Sequence, residues 1–323
     1  MILLFTECLA NTGLGHLRRC TALAEILSEV SDDIFIVLDT DSTGLNERFP
    51  FSVIAFDWKR PGSLPAFLEG KRVEAVFVDS YLAGREVYED LQVHSKKLIC
   101  IDDTNRIPYP IGSTILNPGY GGNRLQYDSS KNRIATGADY VLLRRPFRET
   151  LSFLPTKEGM ESVLVTVGGE DRWNLVPRIQ EVLNTEYPSS KKEILLGPAF
   201  SNLDEIKRKS DGNTRLHSNL SAEQIRDLML SVDIAITAGG QTTYELLRCR
   251  VPMILIETAE NQKENIEGLS NAISGLGRME KDLNLLGHEL NRMSEHSWRD
   301  GIRGRMSGIA SSGEGKIRSL VLC

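Results

Sequence analysis

A histidine placed directly after two loop glycines is the residue best suited to chemistry in this chain, in the stretch Asn11-Thr12-Gly13-Leu14-Gly15-His16-Leu17-Arg18-Arg19-Cys20. Histidine titrates near neutrality and so can take a proton from a substrate or from water. Gly13 and Gly15 let the backbone turn tightly and approach a ligand, while the start of the following helix aims unpaired N–H groups at the same place, a natural anion site. The positive end of that helix disfavours the imidazolium form, which predicts a neutral His16 with one ring nitrogen open to accept a proton. A second stretch has the same construction: Thr237-Ala238-Gly239-Gly240-Gln241-Thr242-Thr243-Tyr244-Glu245. There the N–H groups of Gln241 to Thr243 are predicted to face a diphosphate. Glu245 has two readings, a capping box with Thr242 or a carboxylate that accepts hydrogen bonds from two vicinal ribose hydroxyls. Asn261-Gln262-Lys263-Glu264 opens a later helix, where Asn261 and Glu264 could form a cap.

Short apolar runs separated by helical or loop-like stretches supply the scaffold. Ile2-Leu3-Leu4-Phe5 precedes the histidine loop, and Leu17, Cys20, Leu23, Ala24 and Leu27 follow it at helical spacing. Further runs cover residues 34–38, 53–56, 75–78, 98–101, 114–116 and 140–143, a rhythm that predicts a parallel sheet with crossover helices. Several end in polar residues, as in Val78-Asp79-Ser80 and Ile101-Asp102-Asp103, and open α/β sheets bind ligands outside the carboxyl ends of their strands. A linker-like composition spans residues 144–159, and the pattern then restarts with runs at 162–167, 193–196, 234–236 and 253–256. The predicted fold class is therefore α/β with two domains, residues 1–150 carrying the histidine loop and residues 160–323 carrying the second glycine loop, facing each other across a cleft. The glycine-rich tail from Arg292 to Cys323 contains Leu320-Val321-Leu322, a last element expected to pack back on the body, with return to the N-terminal domain one route.

The totals narrow the function. A chain of 323 residues exceeds what one core usually supports, and its 41% hydrophobic and 25% charged residues are ordinary for a globular enzyme. A net charge of -6 argues against a nucleic-acid surface. No apolar stretch reaches the roughly 18 residues that would cross a bilayer, so membrane insertion is not expected. No basic region precedes the first apolar run, which predicts a cytoplasmic location. Cys8, Cys20, Cys100, Cys249 and Cys323 are scattered and are expected as reduced thiols. His94, His217, His288 and His296 stand alone and are expected as surface or core residues.

Taken together, Gly13-x-Gly15-His16-x-x-Arg19-Cys20, Val78-Asp79-Ser80-Tyr81, Ile101-Asp102-Asp103, Leu142-Leu143-Arg144, Val167-Gly168-Gly169-x-Asp171-x-x-Asn174, Ala238-Gly239-Gly240-x-Thr242-x-x-Glu245 and Asn261-Gln262 carry a resemblance along most of the chain. The sequence resembles the nucleotide-sugar hydrolases of pseudaminic acid biosynthesis, relatives of the UDP-N-acetylglucosamine transferases that make the peptidoglycan lipid intermediate. Spore-coat polysaccharide proteins share the pattern. The resemblance implies two Rossmann-like domains of glycosyltransferase-B type, with UDP held mainly by the C-terminal one. It further implies His16 as the base that activates water and Glu245 on the uridine ribose. The N–H groups around Gly240 to Thr243 would hold the diphosphate, with Gly239 beside them, and Asn261 and Gln262 would bind the sugar. Asp79, Gly169, Asp171 and Asn174 would make further substrate contacts. Here the loop reads Glu170-Asp171-Arg172-Trp173, bulkier than the family pattern.

The chemistry agrees with a hydrolase of a UDP-linked 2,4-diacetamido-trideoxy sugar, giving free sugar and UDP with inversion. A glycosidase with an alkoxide leaving group needs a second carboxyl to protonate it. UDP leaves as a stable anion, so N–H donors can replace that acid and a single base suffices. No cofactor is needed, and no Asp-x-Asp or His-x-x-x-His spacing offers a metal a home. The rivals are a UDP-sugar glycosyltransferase of the same fold, a catalytically inactive UDP-sugar sensor, and a nicotinamide oxidoreductase using Asp39 at the end of the second apolar run. Arg18 at the third glycine position of a dinucleotide loop argues against the last.

Overall fold

The computed structural model describes residues 1–9, 15–41, 51–307 and 313–322. Chain order is β1 (Ile2–Cys8), α1 (Gly15–Leu27), β2 (Ile34–Thr40), β3 (Ser52–Ala55), α2 (Ser63–Leu68), β4 (Ala75–Asp79), α3 (Arg85–Val93), β5 (Leu98–Ile101), β6 (Thr114–Asn117), β7 (Arg133–Thr136) and the single turn α4 (Arg145–Arg148). There follow β8 (Ser162–Thr166), α5 (Leu175–Glu186), β9 (Lys191–Leu195), α6 (Leu203–Lys209), β10 (Thr214–His217), α7 (Ala222–Ser231), β11 (Ile234–Ala238), α8 (Thr242–Arg248), β12 (Met253–Glu257), α9 (Lys263–Ala272), β13 (Gly277–Glu280), α10 (Leu286–Ser294), α11 (His296–Ser307) and α12 (Glu314–Leu322). The chain divides into two units, Met1–Arg145 with Ser311–Cys323, and Pro146–Ala310.

The first unit holds a seven-stranded parallel sheet in the order β3-β2-β1-β4-β5-β6-β7. All seven residues of β1 are buried, as a central strand covered on both faces requires. Alternation divides its side chains: Ile2 and Leu4 join Leu17, Leu23 and Leu27 of α1, whereas Leu3 and Phe5 join Trp58, Tyr88 and Leu91 on the other face. Ile317 and Leu320 of α12 belong to the first of these clusters. The second unit holds a six-stranded parallel sheet in the order β10-β9-β8-β11-β12-β13.

Three strands escape the apolar-run criterion, namely β7, β10 and β13, and each is a sheet edge. Edge strands leave one side open and need no continuous apolar run, and β13 alternates buried and exposed residues. The opposite error occurs at residues 140–143. This run is no strand: a 3-10 turn at Ala138–Tyr140 leads into an irregular segment whose Val141, Leu142 and Leu143 are buried. Leu142 packs in the cluster that contains α12.

In each sheet the strand order reverses once, between β1 and β4 in the first and between β8 and β11 in the second. Connections leave these neighbouring strands toward opposite ends of the sheet, which opens a crevice at their carboxyl ends. The histidine loop follows β1, and the two glycine loops at Gly168-Gly169 and Gly239-Gly240 follow β8 and β11.

Candidate active site

In the first unit, β1 and β4 pair in register with Thr6 opposite Asp79, so the last residue of β4 lies beside the start of the loop that leads to α1. His16, the second residue of α1, is buried and donates from Nδ1 to Asp79 Oδ1 at 2.7 Å. Asp79 is fully buried. Arg19, almost one turn further along α1, grips the same carboxylate through Nε (2.7 Å to Oδ2) and Nη2 (2.6 Å to Oδ1). Its Nη1 contacts both oxygens of Asp103, at 2.8 and 2.7 Å. Tyr81 donates its hydroxyl to Asp103 Oδ2 at 2.6 Å, and its ring meets His16 edge-on with centroids 4.4 Å apart.

These contacts determine the protonation chemistry. Burial opposes ionisation of Asp79, but the charges of Arg19 and His16 and their hydrogen bonds prevail and hold its carboxyl well below the usual carboxylate range. Burial likewise opposes the imidazolium form of His16. The charge and hydrogen bond of Asp79, helped by Asp103 and opposed by Arg19, nonetheless raise its pKa above the ordinary histidine value. The direction of shift expected from the helix end alone is thus reversed: a buried carboxylate at hydrogen-bond distance outweighs the helix dipole. Because Nδ1 carries the proton shared with Asp79, the deprotonated ring presents Nε2 as its acceptor.

Asp79 was expected among the substrate contacts. Its full burial and the three donor atoms of His16 and Arg19 turn both of its oxygens toward the protein and leave it no exposed face for a ligand. Gly15 sits exposed at the start of α1, where an added Cβ would meet nothing within 4 Å, and Gly13 lies outside the described residues. Beside this group, fully buried Glu7 accepts hydrogen bonds from Ser80 Oγ (2.6 Å) and the Tyr81 N–H (3.0 Å) and pairs with Lys59 at 3.2 Å. Lys59 also pairs with Asp39 at 2.5 Å, so the acid that a nicotinamide ribose would use is engaged within the protein.

In the second unit, Gly239 follows β11 and its N–H meets the Gln262 side-chain oxygen at 3.2 Å. That oxygen also accepts from Thr258 N (3.1 Å) and Thr258 Oγ1 (3.0 Å). Gln262 was expected on the sugar, yet its Oε1 joins the ends of β11 and β12. Asn265, absent from the expected set, donates to Gly239 O at 2.7 Å and accepts from the Tyr244 hydroxyl at 2.7 Å. Gly240 and Gln241 lead into α8. The Thr243 N–H, one of three expected to face a diphosphate, bonds instead to Gly240 O at 3.1 Å. The Thr242–Glu245 capping box does not form: α8 is capped at Gln241, without a side-chain bond. Glu245 is buried on α8, and Asn261 is exposed in the 3-10 turn Glu260–Gln262.

The loop after β8 passes through Gly168, whose φ of +101° favours glycine, and then Gly169. A Cβ on the neighbouring Gly197 would fall 2.3 Å from Gly169 O, so that loop is held by close backbone approach. Asp171 and Asn174, expected on substrate, do structural work. Asp171 accepts from the N–H groups of Leu175 (2.7 Å) and Val176 (2.9 Å) and so caps α5. Asn174, at φ +50°, donates to Glu205 at 3.0 Å and accepts from Asn202 at 2.6 Å. Trp173, the bulky member of this loop, donates its indole N–H to Thr258 O at 2.9 Å.

His217, expected to stand alone, pairs with Glu193 on the adjacent strand at 2.6 Å. The four described cysteines, Cys8, Cys20, Cys100 and Cys249, are buried free thiols. Among the described residues no group of three His, Cys, Asp or Glu side chains is arranged to hold a metal, and no helix is long and apolar enough to cross a membrane.

Comparisons with known proteins extend this picture. No protein-family model matches the chain. It is 26% identical over 290 residues to an uncharacterized protein of Methanocaldococcus jannaschii, spanning 84% of this chain and 59% of that protein. It is 21% identical over 290 residues to the spore coat polysaccharide biosynthesis protein SpsG of Bacillus subtilis, across 87% of this chain and 85% of SpsG. A third relative is the Helicobacter pylori pseudaminic acid cytidylyltransferase and UDP-2,4-diacetamido-2,4,6-trideoxy-beta-L-altropyranose hydrolase, 24% identical over 260 residues, 79% of this chain and 44% of that protein. The chain therefore spans about half the length of two of these relatives. Among solved structures, Acinetobacter baumannii MurG superposes with a TM-score of 0.65 at 11% identity, covering 99% of both chains. The glycosyltransferase VinC, in complex with dTDP, superposes with a TM-score of 0.63 at 12% identity over 100% of both chains. The fold is that of the GT-B glycosyltransferases, α/β with two Rossmann-like units.

Proposed function

We propose that this chain is a nucleotide-sugar enzyme that hydrolyses a UDP-linked 2,4-diacetamido-trideoxy sugar to the free sugar and UDP, in the biosynthesis of a nonulosonic (pseudaminic) acid or of surface polysaccharide. The observation that carries the reading is the His16–Asp79 pair, with Nδ1 committed to a buried carboxylate at 2.7 Å and Nε2 left as acceptor. A water whose proton passes to Nε2 attacks the anomeric carbon. The bond from that carbon to the diphosphate oxygen breaks, and its electron pair leaves with UDP. Attack from the face opposite the leaving group inverts the anomeric centre.

The C-terminal unit supplies the nucleotide contacts. Backbone N–H groups at Gly240, Gln241 and Thr242 take the diphosphate, and Glu245 takes the ribose hydroxyls. Gly169 and Asn261 complete the contacts, Asn261 on the sugar. Similarity to the Helicobacter pylori protein favours hydrolysis of such a sugar. Full-length similarity to GT-B transferases favours the second reading, transfer to an acceptor hydroxyl through the same base.

The deciding experiment supplies UDP-2,4-diacetamido-2,4,6-trideoxy-altrose without acceptor and follows UDP release, with a His16→Asn protein alongside. Release that falls at least a thousandfold in the variant supports hydrolysis by His16. UDP binding without release of this sugar sinks the substrate assignment, and acceptor-dependent release establishes the transferase.

A further inference from the structure

The contacts around His16 close on themselves. His16 bonds to Asp79, Asp79 to Arg19, Arg19 to Asp103, Asp103 to Tyr81, and the Tyr81 ring returns to His16. A base and its orienting carboxylate need only the first of these. The others cost two buried or half-buried charges, which persist in proteins only when every donor and acceptor finds a partner. Their arrangement points to a definite task. Arg19 places donors on both oxygens of Asp79, and this fixes the plane of the carboxylate and leaves the second lone pair of Oδ1 directed at His16 Nδ1. Alone, Arg19 would draw the Asp79 charge away from the imidazole. Asp103 shares that guanidinium through two contacts to Nη1, and its side chain is 20% exposed, against 11% for Arg19 and 0% for Asp79.

We propose that Asp103 is a positioning residue for His16 and acts through Arg19: by taking a share of the guanidinium charge it keeps the Asp79 carboxylate available to hold the His16 proton on Nδ1. Asp103 contacts no reacting atom in this scheme. The consequence for catalysis rests on the reading of His16 as the base, whereas the coupling between the side chains does not. Among the described residues the groups that act on His16 are Asp79 at the end of β4, Tyr81 two residues beyond it, Arg19 on α1 and Asp103 after β5; Cys20 lies near Asp79 and Arg19, and Glu7 of β1, held by Lys59, accepts from the Tyr81 N–H. Asp103 favours the imidazolium form and Arg19 disfavours it, so loss of Asp103 shifts both influences in one direction.

The test is nitrogen-15 NMR titration of the histidine ring in the full chain, without substrate. In Asp103→Asn the His16 midpoint falls by about half a pH unit or more, and the fraction of neutral ring protonated at Nδ1 decreases. Asp103→Glu, which keeps the charge, restores both. In an Arg19→Met background Asp103→Asn produces less than half of that shift. Should Arg19→Met not fold, Arg19→Lys takes its place, since an ammonium keeps the charge but lacks the fork that spans two carboxylates. A wild-type titration in Asp103→Asn overturns the proposal. So does an undiminished shift in the Arg19 background, because Asp103 would then act directly on the imidazole. Coupling seen by NMR in a protein that releases no UDP supports this network and removes the hydrolase reading alone.

Discussion

Replacing Asp79 by Asn retains the shape of the side chain and removes one acceptor, and the geometry leaves the amide no satisfactory orientation. His16 Nδ1 and Arg19 Nη2 converge on Oδ1, and Arg19 Nε donates to Oδ2. With the amide oxygen at the Oδ1 position, the amide nitrogen opposes Arg19 Nε, donor against donor. With the nitrogen there instead, it donates to His16 Nδ1, which forces the ring proton onto Nε2 and abolishes the base. The second arrangement is the effect of Asp→Asn in Ser-His-Asp hydrolases, where the rate falls about ten-thousandfold. Part of the population keeping the first arrangement bounds the loss here at about a hundredfold to ten-thousandfold, or roughly 3 to 5 kcal/mol of activation free energy. A second signature comes from the sign of the His16 shift. Without Asp79, burial and Arg19 disfavour the imidazolium form and only the weaker influence of Asp103 still favours it. The acid limb of the kcat/KM profile therefore moves to lower pH. The assay is UDP release across pH 5 to 9 in wild type and Asp79→Asn. A variant within fivefold of wild type, with an unmoved acid limb, refutes the orienting role.

Glu245→Gln is expected to weaken UDP binding about tenfold, roughly 1.4 kcal/mol, the loss when a charged acceptor on ribose hydroxyls becomes neutral. Calorimetric titration with UDP checks it, and unchanged affinity removes Glu245 from the nucleotide contacts. Asp171→Ala strips the cap from α5 and should cost about 1 to 2 kcal/mol of stability in the C-terminal unit while the His16 titration stays as in wild type. Thermal unfolding and the NMR titration together separate a capping role from a catalytic one. Stability against pH should also report the buried pair. The Asp79 contribution is present above about pH 3.9 and is lost as pH falls through its depressed folded pKa, whereas the His16 contribution is full below about pH 6.5 and is lost as pH rises through its raised folded pKa. Their joint contribution is thus greatest between about pH 4 and 6.5, and denaturant unfolding of Asp79→Asn should lose that maximum.

Much of the fold could be read from the chain alone. Strands buried on both faces need a near-continuous apolar stretch, and β1, β4, β8, β11 and β12 each contain one, with their polar residues mostly at the carboxyl ends. The stripe Leu17, Cys20, Leu23, Ala24 and Leu27 is buried on α1 as its spacing predicts. The edge strands β7, β10 and β13 left no such trace, because one open side relaxes the demand for apolar residues. Residues 140–143 show the converse, since burial demands apolarity whether or not the backbone is extended. The site divides along the same line. His16 between a glycine loop and a helix was legible because loop, glycine and helix start are adjacent in the chain.

Its partners were legible only as motif fragments, Asp79 with a role on substrate and Asp103 with none. Asp79 lies 63 residues from His16 in the chain and Asp103 lies 84 from Arg19, and their meeting depends on the strand order β1-β4-β5 and on Thr6 pairing opposite Asp79. Spacing likewise could not tell whether Asp171 meets a ligand or caps α5, nor whether the Gln262 oxygen reaches a sugar or joins two strand ends. The sequence by itself determined the central strands, the helix that follows the histidine loop and which residues can accept a proton or an anion, because those properties are local. Only the tertiary structure decided the direction of the His16 pKa shift and the contacts of its neighbours, because electrostatic interaction in a buried site depends on distance, and distance between remote residues is set by strand order and register.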